Sequence, residues 1–427
     1  MEKKLFKKYI FSNENSVVLG TLIRTHRVEQ NLSTDALARY SGVSRSYLSQ
    51  IERGLRTASL EKYLAIFNEL DIQFEVVDLD LLKKKFDKVI TLINSVELVE
   101  ASKIIKELEN SKSNFTNSNG YMEYVLIRFI YNVVNEKGKL SKKTLDLEKV
   151  LDSISKVIPD DYKILFSQYK GVKLYYDKDY KSSIDLLLRA KNYGISRHVV
   201  MINYHLGLVY TVHKKPVQAI LACISSLSGF EKTMNFHIII STKLHLGINY
   251  SILGDTEEVL KYFNEVIELS LKFNESKYLP PVYGNLAFHS LSNGDYNDVF
   301  MYIQKGNINK QMPWEYVYCG ILAASKLESY TIMSKWISLG ESDIYKNIQP
   351  IKNLIRLFSL LRSEGSTVDL IECYKETLKS IKTSFDNIAY ESVALMYIDL
   401  LESKRMYKEA LNFQQELFWT MKGKKKW

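Results

Sequence analysis

Residues 42–54 read Gly-Val-Ser-Arg-Ser-Tyr-Leu-Ser-Gln-Ile-Glu-Arg-Gly. Helical spacing turns Leu48 and Ile51 inward and leaves Arg45, Ser46, Tyr47, Ser49 and Gln50 on the outer face. That outer set is a guanidinium, several hydroxyls and a carboxamide, groups that donate and accept hydrogen bonds against a polar ligand surface. The elements that must hold it are short helices. Leu22 and Ile23 give a first helix its apolar face, and Ser33 caps a second that contains Leu37 and Ala38, where a small side chain admits close packing. Gly42 suits the sharp turn that follows, Val43 fills the core beneath it, and Ser44 caps the third helix. This is a helix-turn-helix arrangement, with its second helix presented to a major groove.

Charge agrees with a polyanionic partner for that module. The chain of 427 residues carries +9, and residues 1–56 hold ten Lys/Arg against five Asp/Glu. The tail supplies Lys422, Lys424, Lys425 and Lys426, and everything between is balanced at 44 against 44. A neutral body with a basic N-terminal module fits counterion release from phosphates.

Glycine and proline are scarce, 18 and 6, and apolar residues recur at helical spacing, as in Leu98, Ala101, Ile104, Ile105 and Leu108. The fold class is therefore all-α. The exception is Phe74-Glu75-Val76-Val77-Asp78, rich in β-formers, which reads as a short strand in need of a partner. From residue 160 a weak repeat sets in: Leu206-Gly207 and Tyr210 recur forty residues on as Leu246-Gly247 and Tyr250, and again as Leu286-Ala287. Gly171 lies 36 residues before Gly207, and Asp179-Tyr180, Asp295-Tyr296 and Tyr407 through Ala410 mark second helices. Small residues where paired helices cross, with aromatics between hairpins, allow helix pairs to stack. The spacing resembles tetratricopeptide repeats lengthened to 36–40 residues. The expected domains are a helix-turn-helix module at 16–72, a strand and linker at 73–80, linker helices at 81–110 and the repeats at 121–427.

The stretch GVSRSYLSQIERG resembles the Xre/Cro-like DNA-binding domains, a likeness over about an eighth of the chain. It implies that Arg45, Ser46, Tyr47 and Gln50 stand near base edges, Arg able to bridge guanine O6 and N7 and Gln able to bridge adenine. Ser33, Thr34, Ser44, Ser49 and Arg53 would contact phosphate or cap helices, although many members have Gln where Thr34 stands. Glu52, before Gly54, belongs to the family's helix-ending signature and reads as structural. The strand-like segment after Asp71 also resembles HipB-like antitoxins, in which such a strand pairs between two protomers, and a two-fold pair of recognition helices about 34 Å apart would read an inverted repeat.

Joined to repeats, such a domain resembles the intracellular peptide-pheromone receptors of Gram-positive bacteria, the RRNPP group. The resemblance implies a cytoplasmic homodimeric regulator with two ligands, double-stranded DNA and a short signalling peptide held on the first helices of the repeats. With Gly171, Gly207, Gly247 and Ala287 equivalent, the residues two earlier are Tyr169, His205, His245 and Asn285, with Asn249 and His289 on a neighbouring column. Asn and His can satisfy the free N–H and C=O groups of an extended peptide.

Other classes are disfavoured. No phosphate-loop, dinucleotide, Gly-x-Ser-x-Gly or His-Glu-x-x-His motif occurs, so no catalytic residues, cofactor or metal are expected. Cys223, Cys319 and Cys373 are too dispersed for a disulfide framework or a zinc site and point to the reducing cytosol. The N-terminus lacks the apolar run of a signal peptide, and no stretch is long enough to span a membrane. The alternatives are a repeat-domain regulator that binds a protein partner, for which repeats are well suited, and an antitoxin-like autorepressor, for which the repeat region is large.

Overall fold

A computed structural model describes residues 14–111, 115–155, 158–193, 196–306, 312–327, 329–382 and 387–421. The basic tail, Lys422 to Trp427, lies outside the described residues, as do Lys3, Lys4, Lys7 and Lys8. The chain forms two compact units, Met1–Ile239 and Ile240–Trp427. Their boundary falls inside the region expected to hold the repeats.

In the first unit four helices build the N-terminal module: α1 Glu14–Glu29, α2 Thr34–Tyr40, α3 Arg45–Glu52 and α4 Leu60–Glu69. Leu19, Leu22, Ile23, Leu37, Leu48, Ile51, Tyr63 and Ile66 are fully buried between them. Gly42 makes the turn between α2 and α3 at φ 67°, as expected. Helix α1 crosses α3 at Gly20, where any Cβ would collide with the carbonyl of Ile51. A buried ion pair locks the same crossing: Arg27 donates from Nε to Glu52 Oε1 at 2.5 Å, from Nη2 to Glu52 Oε2 at 3.0 Å and from Nη1 to the Leu32 carbonyl at 2.8 Å. The structural role expected of Glu52 thus has a partner 25 residues away.

The segment Phe74–Asp78 is not a strand. It makes a single parallel bridge, Glu75 to Ser118, within this chain. Glu75 N–H donates to the Asn117 carbonyl at 2.9 Å, and the Asn119 side chain brackets Val77, accepting from its N–H at 2.7 Å and donating to its carbonyl at 3.1 Å. The polar loop after residue 110 therefore satisfies the backbone groups that a partner protomer was expected to pair.

The linker is a hairpin of two helices, α5 Leu79–Asn94 and α6 Leu98–Asn110, packed on α7 Tyr121–Glu136. There follow α8 Lys142–Ile154, α9 Asp160–Tyr176, α10 Tyr180–Asn192, α11 Ser196–Val212 and α12 Pro216–Thr233. Helix α13, Phe236–Leu253, contains the boundary between the units. The second unit continues with α14 Thr256–Lys272, α15 Leu279–Asn293, α16 Tyr296–Gly306, α17 Trp314–Lys326 and α18 Tyr330–Gly340, then α19 Gln349–Arg362, α20 Thr367–Ile381, α21 Asn387–Ser403 and α22 Tyr407–Met421.

The repeat register is visible in side-chain packing. Twelve and sixteen residues after Gly171, Gly207, Gly247 and Ala287 stand Ser183 and Leu187, Ala219 and Cys223, Val259 and Phe263, and Val299 and Ile303, all buried. A Cβ on Gly171 would stand 2.9 Å from Leu187 Cγ, one on Gly207 2.6 Å from Cys223 Sγ, and one on Gly247 against the Phe263 ring. The small residue of each first helix is thus where its second helix crosses, and the size of the facing side chain sets how close the crossing is.

Candidate functional site

Two sites can be built from these elements. The first is the outer face of α3. Ser44 Oγ accepts from the Tyr47 N–H at 3.2 Å and Ser33 Oγ accepts from the Ala36 N–H at 3.0 Å, so both serines are N-caps. Each retains its own O–H as a donor for an anion. Arg45 and Ser46 are exposed, while Thr34, Ser49 and Gln50 are half-buried. Arg45 Nε lies 3.3 Å from Asp35 Oδ1, both side chains well solvated, a pairing weak enough to be exchanged for a ligand. Arg53, exposed, donates from Nε to the Ser49 carbonyl at 3.0 Å.

Tyr47 differs from a free base-reading side chain. It is half-buried, and its ring lies 4.6 Å from Arg56 Cζ and 4.5 Å from Lys62 Nζ. These contacts fix the ring and bring two exposed cations, one from the loop after α3 and one from α4, against Tyr47 of α3. Arg56 and Lys62 escape a reading of the recognition helix alone, because only the fold carries them to its side. The assembled surface can hold phosphates and present a guanidinium and a carboxamide to base edges.

The second site lies where the linker hairpin meets the repeats in the first unit. A cavity of about 240 Å³ is lined by Asn94, Val96 and Leu98 of the linker and by Tyr169, Tyr204, His205 and Leu208 of the repeats, among others. Asn94, the last residue of α5, accepts at Oδ1 from the Tyr169 hydroxyl at 3.2 Å, and its carbonyl accepts from Asn235 Nδ2 at 2.9 Å. His205 sits edge-on to Tyr169 with centroids 5.9 Å apart, and its Nδ1 is 3.3 Å from Gln168 Nε2. The structure therefore brings Tyr169 and His205 together and adds Asn94 and Gln168, whose proximity depends on three separate helices.

The remaining column members belong to the second unit. His245 and Asn285 are half-buried. Asn285 donates to the Pro281 carbonyl at 2.7 Å, and His245 Nδ1 is buried with no hydrogen-bond partner. Asn249 and His289 are buried, at 0% and 4% exposure. Asn249 bonds back to the His245 carbonyl at 2.6 Å, and the His289 ring nitrogens lie 3.4 Å from Ser251 Oγ and 3.2 Å from Asn293 Nδ2. Both are engaged with their own helices and neighbours in this conformation.

Burial drives the His205 and His245 rings down to a pKa of about 4. An unfolded chain takes up these protons near pH 6.5, before the folded one does, so stability falls as pH drops from 6.5 towards 4. His205→Gln is expected to flatten that slope in thermal melts, and a slope identical to that of the unsubstituted chain would contradict the ring's burial. Among the described residues no cluster of His, Cys, Asp or Glu could hold a metal ion, and no helix is long and apolar enough to cross a membrane.

Comparison with known proteins bears on the helix-turn-helix module and on the fold of the helical repeats. A helix-turn-helix family model, HTH_3, matches residues 23–77. Two uncharacterized HTH-type transcriptional regulators of Mycobacterium tuberculosis are each 43% identical over 58 residues, 14% of this chain. The chain spans 41% of the length of these relatives. Among solved structures, the apo form of the quorum sensor NprR from B. thuringiensis superposes with a TM-score of 0.64 at 18% identity, covering 80% of this chain and 99% of that one. A Rap protein complexed with competence and sporulation factor gives 0.62 at 16% identity, covering 81% and 99%. NprR in complex with its cognate peptide NprX gives 0.55 at 18%, covering 79% and 98%. At these identities the likeness is one of fold. The expected architecture, a helix-turn-helix module followed by tetratricopeptide-like helical repeats, is borne out.

Proposed function

We propose that this chain is a sequence-specific DNA-binding transcriptional regulator whose repeats hold a short signalling peptide, and that peptide occupancy changes DNA binding. Two copies would place two α3 helices on an inverted repeat. The observation that carries the reading is the composition of the cavity beside His205. Its walls come from the repeats and from the turn of the linker hairpin that follows the helix-turn-helix module, so an occupant contacts both.

Beside Asn94 the linker contributes the apolar Val96 and Leu98, and the repeats add Leu208 and five rings, those of Tyr169, Tyr175, Tyr176, Tyr204 and His205. Such a pocket accepts one large apolar side chain of a peptide, while His205 and Asn94 offer donors and acceptors to its backbone. Displacing the bond from Tyr169 to Asn94 would remove one of two ties on the end of α5, leaving that from Asn235. The solved complex of NprR with NprX, which shares this fold, supports a peptide as the ligand class. A cytoplasmic setting follows from this reading.

Native mass spectrometry of the full chain purified from its own host tests it. The expected result is extra mass equal to a short peptide, released on mild activation and lost in a Leu208→Glu variant. A peptide that binds the variant as well as the original chain would overturn this placement.

A further inference from the structure

A second cavity of the first unit measures about 830 Å³, within the range of about 300–1,000 Å³ usual for small-molecule sites. Three parts of the chain meet in it. Val17 and Val18 come from α1 of the helix-turn-helix module, Phe86 and Ile90 from α5 of the linker, and Leu165 from α9. Asn94 lines this cavity and the one beside His205, so their occupants share a wall.

The polar lining is acidic. It holds the carboxyls of Asp87, Glu123 and Asp161, with Lys83 as its one permanent cation. Glu123, on α7, is 5% exposed, and its Oε1 accepts from the Tyr162 hydroxyl at 2.8 Å. Among the described residues it has no other side-chain hydrogen-bond partner and no ion pair. Burial raises its pKa above the ordinary carboxylate value, against the smaller opposing effects of the Tyr162 bond and of Lys83. Lys83 and Asp87 are exposed, and His198 of α11 has its Nε2 3.9 Å from Asp161 Oδ1. A carboxyl held out of water without a counter-charge is a costly arrangement that a bound cation relieves.

The rest of the lining says what carries that charge. A metal ion needs several close oxygen or nitrogen ligands, and no cluster of described His, Cys, Asp or Glu residues supplies them. The apolar side chains suit hydrocarbon instead. The Phe86 and Tyr162 rings, with centroids 5.6 Å apart, add aromatic surface, which attracts organic cations. Three carboxyls against one lysine match more than one ammonium. We propose that this cavity binds a small aliphatic diamine or polyamine, with one ammonium at Glu123 and its methylenes along the apolar wall. The proposal does not rest on the peptide reading.

Isothermal titration calorimetry of the full chain with 1,5-diaminopentane tests it. One molecule per chain is expected to bind, more tightly than 1-aminopentane, which has a single ammonium. Glu123→Gln keeps the side-chain shape and an acceptor for Tyr162, so circular dichroism is expected to be unchanged. Its affinity is expected to fall by about tenfold or more, the loss of one charge-assisted hydrogen bond. Burial holds the Glu123 proton further up the pH scale than usual, so binding at mildly acidic pH is expected to release it, read by titration in buffers of different ionisation enthalpy. Lys83, Asp87, Asp161, Tyr162 and His198 line the same space and remain in the variant. Proton release that persists unchanged in Glu123→Gln therefore overturns the role of Glu123. No saturable binding, or equal affinity in the variant, overturns the site. Equal affinity for the monoamine overturns the second ammonium. Tighter binding of Nα-acetyl-lysine methylamide, which presents its ammonium as a peptide does, overturns the assignment to a free amine.

Discussion

Glu52→Ala is expected to destabilise the helix-turn-helix module by about 3–5 kcal/mol, because it leaves the Arg27 guanidinium buried without its counter-charge. Arg27 and Glu52 side chains are 12% and 6% exposed and joined by two nearly parallel hydrogen bonds, so water cannot replace the lost carboxylate. Hydrogen exchange in α1 to α4 of the full chain is the measurement, with protection expected to collapse there while α9 to α12 stay protected. Replacing both partners, Arg27→Met with Glu52→Leu, is expected to recover most of the loss, since an apolar pair of similar volume has no charge to desolvate. Unchanged exchange in the Glu52→Ala chain would show that the pair contributes little.

The other large effect concerns selectivity rather than stability. Arg45→Ala combined with Gln50→Ala is expected to remove about 2–6 kcal/mol of base discrimination, at about 1–3 kcal/mol for each bidentate contact. Folding should be untouched, because Arg45 is exposed and its pairing with Asp35 is solvated. Selection from a random duplex library reads this directly. The original chain should enrich an inverted repeat and the double variant should enrich none, whereas Arg56→Ala or Lys62→Ala should weaken binding across all sequences and lessen its salt dependence. Enrichment of the same motif by the double variant would mean that α3 does not read bases.

The features legible in the sequence were those encoded locally. Ser33 and Ser44 cap the helices they precede, Gly42 makes its turn, and Tyr180, Tyr296 and Tyr407 open the second helices they were expected to open. The register of Gly171, Gly207, Gly247 and Ala287 was legible because a crossing point recurs at a fixed chain distance from its partner residues. What escaped depends on which distant segment arrives next. The backbone of Glu75 and Val77 is satisfied by a loop more than forty residues on, and no local pattern distinguishes that from pairing with another protomer. Asn249 and His289 share a helical phase with open positions yet are buried, because burial is set by neighbours in space. The Arg27 partner of Glu52 and the flanking of Tyr47 by Arg56 and Lys62 likewise required the three-dimensional crossing of helices.

The central claim is that occupancy of the repeats is coupled to α3 through the end of the linker. It is tested most directly by the affinity of the full chain for its selected operator, measured by fluorescence anisotropy at fixed salt with and without the peptide recovered from the host. A shift of about tenfold or more is expected, the usual range of coupling between two sites, and it is expected to be lost in Leu208→Glu. Equal affinity with and without saturating peptide would contradict it.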